Sequence, residues 1–400
     1  MILSNRVCCQ GFVDFLDGHK RVICSVSVLL NRVFFGFTVK KRLYFVDYWR
    51  NMVRETEKLK ILEKEMKVLF IGGTGLISSA STALALERGI DLVLLNRGKS
   101  SIEVPNGATV ITGDISKPGE VAKLIEGQTF DAVVNWVNFT PDQIARDVEL
   151  FSGRCGQYIF ISSASAYQKP VSHYLITEST PLANPYWQYS RNKIACEEKL
   201  TEAYRENGFP GVVVRPSHTY GETRVPYVVG SSKCPWTTVG RMLAGKKIVV
   251  PGDGTSLWSM THNTDFAKGL VGLLGNPQTI GNAFHITTDE VNTWDQITRM
   301  VARAAGVEAN IVHIPSDLLV AYNADLEGTL IGDKSASVVF DNSKIKRFVP
   351  GFAATTSLAE GVRKSVAWFQ ADPARQRIDD QANEWLDMVI AKYESVFPMV

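Results

Sequence analysis

From Met66 onward, short apolar runs alternate with longer stretches whose apolar residues recur at helical spacing. Residues 68–71, 91–95, 109–112, 131–137, 157–162 and 212–215 are short runs rich in β-branched or aromatic residues, most of them stopped by glycine, asparagine, serine or proline. Runs of this length and character read as strands of a parallel sheet covered on both faces. Between the first two lies the alanine- and leucine-rich stretch 78–88, a helix ending at Gly89. Strands and helices alternating in this way predict an α/β fold with a doubly wound parallel sheet. The rhythm weakens after Gly221, where Pro226, Pro235, Trp236 and Pro251-Gly-Asp-Gly254 mark loops around a helix near 239–243. A helix over 265–274, a strand over 283–287, a helix over 294–305 and a strand over 311–314 follow. Residues 357–370 and 379–393 close the chain as helices, with Trp368, Phe369 and Trp385 as packing positions. The expected organisation is therefore a sheet domain over 66–220, with 261–290 returning to it. A smaller lobe over 221–260 and 291–350 covers a ligand, and 351–400 form C-terminal helices.

Residues 1–65 follow a different pattern. Their apolar stretches 22–30 and 33–39 are split by Asn31-Arg32 and followed by Lys40-Lys41-Arg42. Neither reaches the ~20 residues of a membrane helix, and no small-residue cleavage pattern follows them. This segment reads as a poorly ordered extension, with a peripheral membrane anchor as the alternative. No membrane partner is expected for the remainder.

Composition narrows the class. An apolar content of 45% with 21% charged residues describes a soluble globular chain. The net charge of +2 hides an asymmetry: residues 1–65 hold twelve Lys/Arg against seven Asp/Glu, leaving 31 against 34 in the rest. The body is slightly acidic, so no nucleic-acid partner is expected. Cys8, Cys9 and Cys24 sit in the extension, and Cys155, Cys196 and Cys234 are scattered without Cys-x-x-Cys or a neighbouring His pair. That pattern fits reduced thiols in a cytoplasmic protein and no metal site.

Candidate chemistry begins at Gly72-Gly73-Thr74-Gly75-Leu76-Ile77, between the first strand and the first helix. Glycines there let the backbone approach a pyrophosphate, whose charge the free N–H groups of the helix start would hold. Ser78 stands where a third glycine is usual, and is small enough to keep helix and strand close. The second strand ends in neutral Asn96 followed by Arg97. An acidic residue at this place bonds ribose hydroxyls, whereas an arginine suits a 2′-phosphate, so NADP(H) is favoured over NAD(H). Asp114 and Ile115 follow the third strand, within reach of an adenine; Asp114 could equally cap the helix beginning near Lys117. Tyr189 and Lys193, four apart at the start of a helix, project from one helical face.

With Tyr189-x-x-x-Lys193 the pieces resemble the extended short-chain dehydrogenases/reductases, the NAD(P)-dependent epimerase/dehydratase group with a Rossmann fold. The similarity covers about 300 residues. It rests on the glycine turn, Gly113-Asp114, Ile161-Ser-Ser-Ala-Ser-Ala-Tyr167, Tyr189/Lys193, Arg215-Pro216 with Tyr220-Gly221, Pro251-Gly-Asp-Gly254, Thr261-His-Asn-Thr-Asp265, Asp341-Asn-Ser-Lys344 and Ser357-Leu-Ala-Glu-Gly361. The resemblance implies Tyr189 as acid/base, Lys193 as the group that lowers its pKa and bonds the nicotinamide ribose, and Ser163 as holder of the substrate oxygen. It places Val137 and Asn138 along the cofactor, and Pro216 and His218 near the carboxamide. Sugar-nucleotide dehydratases of the group carry an Asp-Glu pair after the serine position. Ala164-Ser165 stand there in this chain, so dehydration is disfavoured. Trp258 replaces an arginine that sugar-nucleotide members often use for a phosphate. The expected substrate is a polar, sugar-like molecule oxidised, reduced or epimerised at a hydroxyl or keto carbon; a nucleotide-sugar stays open, since Arg224 and Arg241 could serve its phosphate. Members of the group often dimerise through a four-helix contact, which makes the Tyr189 helix a candidate homodimer surface. Some relatives with the same Gly-Gly-Thr turn and Asn-Arg-Gly strand end bind RNA with eroded active sites. RNA binding, or cofactor sensing without turnover, is therefore the alternative.

Overall fold

The computed structural model describes residues 66–98 and 104–396, so the extension expected over 1–65 lies outside the described residues. Seven strands form the central sheet: β1 (Lys67–Ile71), β2 (Asp91–Asn96), β3 (Thr109–Thr112), β4 (Ala132–Asn135), β5 (Tyr158–Ile161), β6 (Gly211–Pro216) and β7 (Ala283–Ile286). All pairs are parallel, in the order β7-β6-β5-β4-β1-β2-β3. This is the Rossmann arrangement. β1 pairs with both β2 and β4, so the winding reverses there and leaves a crevice at the carboxyl ends of β1 and β4.

The period of two along each strand explains why both sheet faces are dry. Leu69, Ile71, Val133, Phe160 and Val213 point to one face with Leu150 and Phe151 of α3 (Pro141–Phe151) and Leu200 of α4 (Gln188–Asn207). Val68, Phe70, Leu92, Val134, Ile159 and Val214 point to the other, against Ala85 of α1 (Ser78–Glu87) and Phe266 and Leu270 of α6 (Asn263–Leu273). β3 forms the edge, with Val110 exposed. Helix α2 (Pro118–Leu124) follows it, and the expected cap is absent: its N-cap is Lys117. Asp114 instead accepts from the Ser116 N–H and hydroxyl, closing a local turn.

A separate core lies beyond the sheet. Trp236, Val239 and Met242 on or beside α5 (Thr237–Leu243), Trp294, Ile297 and Val301 of α7 (Trp294–Ala304), and Val362, Val366 and Phe369 of α8 (Leu358–Gln370) bury one another there. Two short parallel pairs brace it, Ile248–Pro251 with Ile311–Ile314 and His218–Tyr220 with Met260–His262. Local patterning missed the strands at 218–220, 248–251 and 260–262, since each is completed by a distant partner. Among the described residues no helix is long and apolar enough to cross a membrane. No described cluster of His, Cys, Asp and Glu could hold a metal.

Candidate active site

The turn after β1 is shaped by two glycines with φ of +98° and +113°, Gly72 and Gly73. A Cβ on Gly73 would lie 3.0 Å from Leu94 Cδ2 and 3.2 Å from Thr82 Oγ1. Both the dihedral and the space therefore demand glycine. Thr82 Oγ1 donates to the Gly73 carbonyl at 2.8 Å, and buried Ser78 turns its Oγ back to the Gly75 N–H at 2.8 Å. Ser78 thus keeps the helix close to the strand and braces the turn as well. Helix α1 has no side-chain cap and no acidic residue in its first turn, which suits an anion at its start. Thr74, Leu76 and Ile77 are half-buried around it, and the Leu76 carbonyl is tied to Asn263 Nδ2 at 2.8 Å. With its amide oriented to satisfy the network, Asn96 donates to the Gly72 carbonyl at 2.8 Å. Arg97 beside it is exposed, and its charge helps hold the Asp114 carboxyl low, after the two Ser116 hydrogen bonds. Ile115 packs against the sheet face.

The second half of the site stands over the ends of β4, β5 and β6. A cavity of about 180 Å³ is lined there by Ser163, Tyr189, Pro216, His218, Trp258 and Lys169 among others. Ser163 and Tyr189 face this cavity together, and the Ser163 hydroxyl is near enough to the phenol to favour its ionised form. Ser163 Oγ also meets Ser165 Oγ at 2.9 Å, which accepts from Ser190 Oγ at 2.8 Å. Burial raises the Tyr189 pKa, the nearby Ser163 hydroxyl opposes this, and the Asp333 carboxylate adds to it. The expected lowering by Lys193 is not realised in this arrangement. Lys193 is 2% exposed, and its Nζ donates to the carbonyls of Asn138 and Ile161 at 2.6 and 2.8 Å. It lies 4.4 Å from the Phe139 ring centre and 5.7 Å from that of Tyr189. Tyr189 and Lys193 do share a helical face, but the ammonium reaches past the phenol to the strand ends.

Burial also lowers the Lys193 pKa to about 8, with Cys196 and Glu197 acting in the opposite sense. His218 is pushed down to about 3, by burial first and then by the charges of Lys334 and Arg224, so it faces the cavity neutral. Val137 is exposed at the strand end, as a cofactor-facing residue would be. Asn138 is not: its side chain turns inward, donating to Asp147 at 2.7 Å and accepting from Arg146 at 2.9 Å. Only the Asn138 carbonyl serves the site, by holding Lys193.

Sequence reasoning overlooked several residues here. Buried Asp147 accepts from Asn135, Asn138 and Tyr158, a knot beneath the end of β4 that fixes the Asn138 backbone. Asp333 and Lys334 arrive from a segment with no strand or helix pattern, a π-helical turn Leu330–Lys334. Gly332 lets it approach the loop before α4, where Asn184 Nδ2 donates to the Gly332 carbonyl at 2.7 Å. The only early signal was the glycine pair Gly328 and Gly332. A Cβ at Gly328 would collide with Trp187.

Known proteins share this fold. A UDP-glucuronic acid 4-epimerase from Bacillus cereus, solved in complex with NAD, superposes with a TM-score of 0.62 over 78% of this chain and 100% of that one, at 18% identity. At that identity the likeness speaks for the fold. The chloroplast stem-loop binding protein of 41 kDa b from Arabidopsis thaliana is 26% identical over 263 residues, 62% of this chain and 66% of that protein. The uncharacterised UDP-glucose epimerase YtcB of Bacillus subtilis is 23% identical over 54% of this chain and 60% of its own length. These matches span less than two thirds of either curated relative. The sequence model of the NAD dependent epimerase/dehydratase family matches residues 68–287, more than half the chain. By that match and by its sheet order, the chain belongs to the NAD dependent epimerase/dehydratase family.

Proposed function

We propose that this protein is an NAD(P)-dependent oxidoreductase or epimerase acting on a hydroxyl or keto carbon of a small sugar-like molecule through Ser163, Tyr189 and Lys193. The observation that carries the reading is that Ser163 and Tyr189 face one cavity at the carboxyl ends of the strands, with Lys193 buried one turn along the same helix face. The residues fit a dinucleotide. A Cβ would fill the cradle at Gly73, α1 is uncapped, and the buried Ser217 Oγ beside Pro216 has no hydrogen-bond partner. Gly72 to Ile77 would hold the diphosphate, Asp114 and Ile115 the adenine side, and Val137, Lys193, Pro216 and His218 the nicotinamide half. Bound there, the cofactor supplies a hydride acceptor or donor.

The chain's own part is proton handling and orientation. Ser163 positions the substrate oxygen, and Tyr189 takes its proton as the carbon loses hydride, or returns the proton in reverse. A phenol with a raised pKa is a weak base at neutral pH, so nearby positive charge is needed to favour the phenolate. Lys193, its Nζ 5.7 Å from the Tyr189 ring centre, is the cation of this chain proposed for that task, although its hydrogen bonds go to the Asn138 and Ile161 carbonyls. NADP(H) is the proposed partner, because the end of β2 offers exposed Arg97 and no carboxylate. In this reading residues 66–220 with 261–290 hold the cofactor. Residues 221–260 and 291–350 close over the substrate, and 351–400 brace that lobe.

A second reading has one finding in its favour, the stem-loop binding relative. Phosphate-driven RNA binding would weaken steeply with salt, whereas dinucleotide binding in a glycine turn would not. The test of the main reading is Tyr189→Phe. General acid–base loss should lower turnover of an identified substrate by about 10²–10⁴-fold, while cofactor affinity stays within about threefold, under 1 kcal/mol. Turnover unchanged in that variant would remove Tyr189 from the mechanism.

A further inference from the structure

We propose that the substrate carries a carboxylate, held between Lys169 and Lys334 against the indole of Trp258. This rests on the oxidoreductase reading and names the substrate class for the same cavity.

Lys169 is the starting point. It is 4% exposed and lines the cavity, yet its ammonium finds only the Asp333 carbonyl, at 3.3 Å. An ammonium has three donors, and a buried one with a single neutral acceptor is costly to keep. Lys334 lines the same cavity, its Nζ 3.1 Å from Asp333 Oδ2. The two ammonium groups lie 6.0 and 5.8 Å from the Trp258 ring centre, so both cations share one aromatic wall. Among the described residues Asp333 is the only carboxylate lining the cavity, and His218 is neutral. The lining therefore carries a surplus of one positive charge.

A wall with two ammonium groups over one aromatic face suits an anion. One surplus charge matches a monoanion, which selects a carboxylate over a phosphate dianion. Size points the same way. The cavity is about 180 Å³, below the roughly 300 Å³ where pockets for drug-sized ligands begin. A hydroxy acid or single sugar acid suits that volume.

The experiment is calorimetric titration of the full chain, with and without NADP⁺, using two matched sets of probes. One set is glycerate, glycerol and glycerol 3-phosphate; the other is glucuronate, glucose and glucose 6-phosphate. We expect at least one acid to bind about tenfold or more tightly than its neutral and phosphorylated counterparts. Lys169→Met and Lys334→Met should each abolish that preference, and Lys169→Arg should restore part of it, with far-UV circular dichroism confirming that the variants fold. Equal binding of acid and neutral probe, no binding by either acid, preference for the phosphates, or a preference that survives both methionine variants overturns the proposal. Turnover of a neutral sugar that ignores Lys169→Met defeats the carboxylate assignment alone. Acid binding with the predicted lysine dependence, but no hydride transfer from any bound acid, defeats the oxidoreductase reading and leaves the anion site.

Discussion

Lys193→Met probes how the fold holds a charge it has taken out of water. Burial brings the Lys193 pKa to about 8, against roughly 10.4 for a free lysine. The folded protein thus gives up this proton at lower pH than the unfolded chain. Between those values the unfolded state binds more protons, so stability rises with pH; below about 8 the full cost of the buried ammonium remains. From pH 7 to pH 9 this one group should add about 1.4 kcal/mol to the wild type. Methionine keeps most of the stem and removes the charge, but it deprives the Asn138 and Ile161 carbonyls of their donor. Leaving such carbonyls dry costs about 1–3 kcal/mol each, a loss present at every pH. Only the change in the difference between the two proteins therefore reports on the charge. Half-buried Cys155 and buried Cys196, both pushed up to about 12, make the opposite contribution at alkaline pH, and it is common to both proteins. Urea unfolding at pH 7, 8 and 9 should show the wild type gaining about 1.4 kcal/mol relative to Lys193→Met. A constant difference would mean that the two carbonyls keep Lys193 charged throughout, and the argument from burial would fail.

Three further outcomes follow from the same geometry. Gly73→Ala places a Cβ at φ +113° and 3.0 Å from Leu94; thermal unfolding should register a loss of about 1–3 kcal/mol, together with weaker dinucleotide binding. Glu197→Gln leaves Arg215 buried without its carboxylate, whose Oε2 lies 2.5 Å from the guanidinium; denaturant titration should show a loss of about 3–5 kcal/mol. Arg97→Ala should weaken NADPH about tenfold, near 1.4 kcal/mol, and NADH hardly at all; equal losses would remove Arg97 from 2′-phosphate recognition.

The sheet was legible because each strand carries its own evidence. Val68 to Ile71 is apolar on both faces, and Gly72 stops it; the same signals recur at Leu92 and Ile159. Helix α4 was likewise legible from its chemistry, since Tyr189 and Lys193 sit at helical spacing. What failed were statements about where a side chain ends. Lys193 was expected beside the phenol, yet two backbone carbonyls at the ends of β4 and β5 are better partners for a buried ammonium. Asn138 was expected to face the cofactor, yet the Asp147 carboxylate draws it inward. Asp114 was offered as a helix cap and closes an earlier turn instead. Lys169 and Lys334 look like ordinary surface lysines in the chain; they share a wall only because glycines at 328 and 332 let a π-helical turn fold under Trp187 and Asn184. Pairings of that kind lie beyond local patterning.

The most direct test of the central claim is a fluorescence titration of the purified chain with NADPH and NADH at low and high salt. The geometry predicts saturable binding at one site per chain, little affected by salt and weakened in Gly73→Ala. Absence of dinucleotide binding, with RNA bound tightly at low salt and released at high salt, would contradict it.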